Sequence, residues 1–378
     1  MNLAIIIRGI LPEKIGGQEI YGFIILKNLI QTKCRVVVYT LGISKIVKKN
    51  YKIFSFKPLN FYFFRFPFKT LMYILSFLKH QKQSKIQIIH ANGVISEGLA
   101  AILIKKILKI PVLITLHGGG IYSFANRFPF IVKFILKHSD RIIAINKFLQ
   151  IKAKQYTTNR IDLIPNFIDS NKFRRKNKQS IIDFKKKYDL NDKIIILIVS
   201  RLVTTKGIDN LILAIRELVK SYPNICLQII GEGPQKKKLI KFANKHGLKD
   251  KVFFLGKISN DKLPIYYSAC DVFVLPSLYE GQPTVLLEAM ACEAPIIATA
   301  VGGVKELIKH KFNGLLIPKN DYLTLSKNIN RLISNPDLKT RMGKNGRQII
   351  EDQYESTKNF KKIYEIYLSI IQQFQLER

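Results

Sequence analysis

The stretch DVFVLPSLYEGQPTVLLEAMACEAPIIATAVGGVKELI, Asp271–Ile308, decides the fold. It opens on an apolar run, Val272–Leu275, short and β-branched enough for a buried strand, and Pro276 stops it. A loop then carries Glu280 and Gly281, and Pro283 stands where a first helical turn tolerates a residue without an N–H. A helical stretch follows, and Ile296–Ala298 reads as the next strand. Strand, helix and strand in so short a span predict a parallel βαβ unit, whose crossover is a helix.

Outward from this unit the same rhythm recurs. Upstream, Ile194–Val199, Cys226–Ile230 and Val252–Leu255 are strand-like, with a helix expected over Ile208–Ser221. In the first half, Leu3–Ile7, Arg35–Tyr39, Ile86–His90, Val112–Leu116 and Arg141–Ile145 are short buried-strand runs, and Gly16-Gly17 precede an amphipathic stretch reaching about Ile30. Between the two series lies SNKFRRKNKQS, Ser170–Ser180, polar and without apolar periodicity. The expected organisation is therefore α/β. A Rossmann-like unit over 1–170, a linker over 171–180 and a second unit over 181–353 leave a cleft between them. Helical spacing of apolar residues from Tyr354 to Phe374 predicts a terminal helix over 354–378.

Composition limits the alternatives. The chain has 378 residues, 47% of them hydrophobic, enough for two real cores and too much for disorder. Cys34, Cys226, Cys270 and Cys292 are scattered among apolar residues, so they read as small buried side chains rather than disulfides or metal ligands. The Leu3–Ile7 run is broken by Arg8 with no cleavage pattern after it, and no window reaches about 18 apolar residues. A cytoplasmic protein, soluble or peripheral on the inner membrane face, is expected.

The charge is +36, with 26 basic against 6 acidic residues in 1–170 and 36 against 20 in 171–378. Such a field attracts polyanions, anionic lipid and phosphorylated substrates. Solvated lysines from a Lys-, Ile- and Asn-rich bias account for it equally well.

The chemistry gathers in the second half. Glu280 before the helix and Glu288 on it can face one ligand from different heights, and carboxylates suit sugar and ribose hydroxyls. Backbone N–H groups near Thr284, Val285 and Leu286, at the start of that helix, make an anion site. Upstream, in IVSRLVTTKGIDNLILAI, Arg201 and Lys206 sit in the loop after a buried strand, a planar fork and a point charge for phosphate.

Six motifs in order over nearly the whole chain resemble the family-4 retaining glycosyltransferases of the GT-B fold. They are GG at Gly16–Gly17, HGG at His117–Gly119, PNFID at Pro165–Asp169, SRLVTTKG from Ser200, GEGP at Gly231–Pro234, and Glu280-x7-Glu288. The resemblance implies two Rossmann-like domains, with the C-terminal helix returning to the first. It also implies transfer of a hexose-type sugar from a nucleotide-diphosphate sugar, with retention, without a metal and without a cofactor. By the same resemblance, Glu280 holds donor sugar hydroxyls and Glu288 the ribose. Arg201 and Lys206 bind the diphosphate, and Ile258 lies against the nucleobase. Gly16 and Gly17, with Gly281 and the amides of Thr284, Val285 and Leu286, line the donor site, and His117 stands beside the anomeric centre. Phe167 and Glu293 depart from the pattern, each standing where a glycine is common.

For the acceptor the sequence offers a hydroxyl on a lipid-linked, glycan or small-molecule carrier. The basic, aromatic stretch Phe56–His80 reads either as a core strand and helix or as a segment lying on an anionic membrane. A catalytically silent partner subunit and a basic nucleic-acid-binding protein are the rival readings. The first class tends to lose donor residues that are kept here, and the second lacks a recognised nucleic-acid motif.

Overall fold

The computed structural model describes residues 1–9, 16–41, 51–56, 65–118, 121 and 124–377. It divides into two units, one of residues 1–166 together with the segment from Ser356 onward, the other Phe167–Glu355.

Among the described residues of the first unit, seven strands form one parallel sheet: β1 (Asn2–Ile7), β2 (Arg35–Leu41), β3 (Tyr51–Phe56), β4 (Ile88–Ala91), β5 (Val112–Leu116), β6 (Arg141–Ala144) and β7 (Ile161–Leu163). Their spatial order is β3-β2-β1-β4-β5-β6-β7. The second unit has six parallel strands: β8 (Ile194–Val199), β9 (Ile225–Ile230), β10 (Val252–Gly256), β11 (Val272–Leu275), β12 (Ile296–Thr299) and β13 (Leu315–Ile317). They run β10-β9-β8-β11-β12-β13. Both orders are doubly wound and reverse direction beside the first strand, which opens a crevice at the carboxyl ends of β1 and β4 and of β8 and β11. Each unit is the Rossmann-like parallel sheet that the sequence predicts.

Isoleucine-rich strands build both sheets because helices cover both faces. In β8 five of six residues are buried, and β9 is buried throughout. The terminal helix Ser356–Leu376 packs on the first unit. Ile363 and Tyr367 are fully buried, and Tyr367 Oη lies 2.6 Å from His90 Nδ1 on β4. Burial holds His90 neutral, its pKa lowered to about 3, with His117 adding a smaller push. All four cysteines are buried and unpaired.

Three strands were not anticipated, β3, β7 and β13, two of them three residues long and all at sheet edges or beside one. The expected linker is also corrected. Residues 171–180 belong to the second unit, where Phe173 enters the core and Lys178–Lys187 is helical. Arg347 fastens this segment, donating from Nη1 to the carbonyls of Ser170 and Phe173, both at 3.0 Å. A polar sequence is thus pinned by a cation from a distant helix, which local periodicity does not reveal. Phe167 is buried, and the chain's two crossings between units are joined by a bridge between Ile168 and Glu355. Of the Phe56–His80 stretch, residues 57–64 lie outside the described part. The rest is the end of β3 and the helix Arg65–Ser84, with Tyr73 and Phe77 buried.

Candidate functional site

In the second unit the loops after β8 and β11 meet at the crevice, and backbone contacts set their approach. Leu278 N donates to Thr205 O at 2.8 Å, and Gly207, with φ +59°, would place a Cβ 2.2 Å from Pro276 O. Only glycine allows that approach. The loop after β12 closes on the same place, since a Cβ on Gly302, φ +46°, would lie 1.9 Å from Glu280 O. Glu280 is thereby held from both sides by main chain.

Its carboxylate is buried, and Oε1 accepts from Lys206 Nζ at 2.5 Å and from Ser277 Oγ at 2.7 Å. The structure therefore brings Lys206 and Glu280 together as an ion pair, both side chains largely shielded. Arg201 is exposed on the same loop, with no side-chain partner among the described residues. Thr284 and Val285 open the helix Thr284–Ala291, which has no side-chain cap. Leu286 differs from expectation, for its N–H is spent on Pro283 O at 3.1 Å and its side chain is buried. Gly281 stands in the loop before it, and Ile258, after β10, packs partly buried against the core.

Glu288 is 2% exposed, with Oε2 accepting from Tyr267 Oη at 2.7 Å. Asn260 Nδ2 stands 3.5 Å from Oε1, and Asn260 is itself held by Lys172 Nζ at 2.6 Å. Burial raises the Glu288 pKa to about 7, against the opposing hydrogen bond from Tyr267. This carboxyl thus titrates near neutral pH, unlike a solvated glutamate.

In the first unit, His117 follows β5, and its Nε2 lies 2.6 Å from Asn92 Oδ1. Asn92, buried after β4, also donates from Nδ2 to Gln18 O at 3.1 Å, tying the histidine to the helix Gly17–Leu29. Burial lowers the His117 pKa to about 3, so the ring is neutral. Because Asn92 presents an acceptor, Nε2 carries the proton and Nδ1 is left as an acceptor. Gly16 has ordinary extended backbone, φ −164°. A Cβ there would lie 2.5 Å from Glu19 Oε2, so the space over the helix start is already taken by a carboxylate. A phosphate approaching Gly16 and Gly17 would have to displace it.

Similarity to known proteins identifies the family. The model of glycosyl transferases group 1 matches residues 180–349 and that of glycosyltransferase family 4 matches residues 15–172. An uncharacterized glycosyltransferase of Methanocaldococcus jannaschii is 31% identical over 287 residues, 74% of this chain and 76% of that protein. The chain belongs to the family-4, group 1 glycosyltransferases. N-acetyl-alpha-D-glucosaminyl L-malate synthase of Bacillus anthracis is 25% identical to this glycosyltransferase over 94% of the chain and 95% of its own length. The structure of HepE from Anabaena in complex with UDP-glucose has a TM-score of 0.82 at 21% identity, covering 97% of this chain and 99% of that one.

In this glycosyltransferase, reading the sequence missed the supporting residues: Asn92, Ser277, Tyr267, Asn260, Lys172 and Gly302. Most carried no local signal, being ordinary polar residues far from their partners. Gly302-Gly303 following a strand was the one visible sign. GEGP, left outside the site, also has a structural duty. A Cβ on Gly231 would lie 1.8 Å from Ser200 O, so this turn buttresses the loop that carries Arg201.

Proposed function

We propose that the enzyme moves a hexose-type sugar from a nucleotide-diphosphate sugar to a hydroxyl acceptor, with retention at the anomeric carbon and without a metal. The observation that carries this reading is the Lys206–Glu280 pair at the β8/β11 crevice, with Glu288 on the helix Thr284–Ala291 that follows. Glu280, held by Lys206, accepts hydrogen bonds from sugar hydroxyls. Glu288 accepts from the ribose, and Ile258 offers an apolar edge to the base. The UDP-glucose bound by HepE supports a donor of this class.

The anomeric carbon–oxygen bond to the β-phosphate breaks as the acceptor oxygen attacks the same face, and a β-phosphate oxygen takes the acceptor's proton. Charge grows on the leaving diphosphate, so the main contribution is fixed positive potential from Arg201, Lys206 and the amides of Thr284 and Val285. His117 works as a neutral acceptor through Nδ1, orienting a sugar hydroxyl near the anomeric centre rather than donating a proton. The acceptor is lipid-linked in this reading. Leu71, Leu75 and Leu78 form one outward stripe on the helix Arg65–Ser84, 49%, 53% and 37% exposed, beside exposed Lys79. Such a face suits peripheral docking on anionic lipid.

A panel of UDP-, GDP- and ADP-sugars in calorimetry identifies the donor, and the product's anomeric configuration by NMR tests retention. Arg201→Ala and Lys206→Ala should each lower kcat by about two to three orders of magnitude, with chelator leaving the wild-type rate unchanged. Near-normal turnover in both variants, or an inverted product, would sink the proposal.

A further inference from the structure

A cavity lies wholly within the second unit, at the opposite end of its sheet from the loops that carry Lys206 and Glu280. Asp271 immediately precedes β11 and Glu293 stands three residues before β12, and both line it, so it sits at the amino ends of strands whose carboxyl ends carry Glu280. Its volume is about 380 Å³, inside the range of ligand sites, roughly 300–1,000 Å³.

Four cations line it: Arg175, Lys185 in the last turn of the helix Lys178–Lys187, and Lys339 and Lys344 on the helix Pro336–Ile349. One is spent. Lys339 Nζ pairs with Asp271 Oδ1 at 2.9 Å, while Asp271 Oδ2 accepts from Ile195 N at 3.0 Å, so that carboxylate is satisfied on both oxygens. Arg175, Lys185 and Lys344 have no carboxylate partner among the described residues, and Glu293 alone opposes them. The 14-residue helix Pro336–Ile349 starts on the same wall, its N-terminus capped by Asn335 Oδ1, which accepts from Leu338 N at 2.9 Å, and Pro336, Lys339 and Thr340 line the cavity. An arginine fork with two lysine point charges is phosphate-binding chemistry, and the Glu293 carboxylate and Thr340 hydroxyl suit a hydroxyl-bearing body.

We propose that this cavity is a second anion site, separate from the donor site, that binds a small phosphomonoester through Arg175, Lys185 and Lys344. The site gives the high net charge a specific use beyond solvation.

Equilibrium binding of inorganic phosphate and of a hexose phosphate to the full chain at low ionic strength tests it, because surface attraction alone would be indifferent to which lysines are removed. Arg175→Ala/Lys344→Ala should weaken hexose phosphate binding at least tenfold. Lys237→Ala/Lys238→Ala, which removes the same charge from an exposed helix face, should leave it within twofold. Arg201→Ala/Lys206→Ala, in the donor site, should also leave it in place. The melting temperature of each variant verifies its fold. Equal weakening by the Lys237/Lys238 pair, loss only in the donor-site pair, or no saturable binding to the wild type would each overturn the proposal.

Discussion

At Glu288 the contribution to stability and the role proposed for the residue oppose each other. Its carboxyl is buried, and its pKa is raised from 4.5 to about 7. The folded state therefore holds a proton that the unfolded chain gives up. The associated stability is fully present below about pH 4.5 and is lost as the pH rises through 7, a loss on the order of 3 kcal/mol at 1.36 kcal/mol per unit. The function proposed for it runs the other way, since only the ionised form accepts two hydroxyl donors. Glu288→Gln keeps an acceptor for Tyr267 Oη and has no charge to desolvate. At pH 8 it should melt several degrees above the wild type while binding the donor nucleotide at least tenfold more weakly. A lower melting temperature at pH 8 would contradict the burial cost. In the wild type, donor affinity should rise as the pH passes upward through 7. His117 is set by its neighbour in a comparable way, for Asn92 fixes which ring nitrogen is protonated.

At the scale of elements, the site depends on loops pressed together closely enough that only main chain fits between them. Gly302 and Gly247 both have positive φ, +46° and +72°, yet their surroundings differ. A Cβ on Gly247 meets nothing within 4 Å, whereas one on Gly302 meets the Glu280 carbonyl at 1.9 Å. Alanine at either position costs about 1–2 kcal/mol for the left-handed backbone. Gly302→Ala must also displace Glu280, so transfer should fall at least tenfold there and stay within about twofold in Gly247→Ala; equal activities would refute the role given to this contact. The helix Arg65–Ser84 makes its own prediction. It should carry the enzyme onto vesicles of anionic lipid at low salt, with Leu71→Glu/Leu75→Glu abolishing sedimentation. Unchanged sedimentation of that variant would assign binding to general charge instead.

For the whole molecule, the two units place buried titratable groups of opposite sign. His90 and His117 in the first unit are neutral when folded, their pKa values lowered to about 3, mainly by burial. Stability from each is fully present above about 6.5 and is lost as the pH falls below it, at about 1.4 kcal/mol per unit. Glu288 in the second unit gains stability over part of the same descent. Calorimetric scans from pH 7 to pH 5 should therefore lower the first unit's transition and spare or raise the second's. Tyr367→Phe, which removes the 2.6 Å contact with His90, identifies the first. Parallel shifts of both transitions would rule this out. No described helix is long and apolar enough to cross a membrane.

The sequence by itself determined the class of fold. Runs such as Ile194–Val199 are apolar on both faces, which suits a parallel sheet covered by helices, and helix-length spacers leave little choice of topology. It also singled out Glu280, Glu288, Arg201 and Lys206 as candidates, because short, ordered motifs near strand ends carry them. The edge strands β3, β7 and β13 were not legible, since two are three residues long and each has a neighbour on one side only or lies at the sheet's margin. Nor was the place of residues 171–180, whose anchor Arg347 is far away in the chain. Only the tertiary structure decided that Lys206 is paired with Glu280, that Tyr267 and burial set the proton on Glu288, and that Asn92 sets the one on His117. The physical reason is that charge states and close approaches depend on partners distant in sequence and on the water that packing removes. Local spacing records neither.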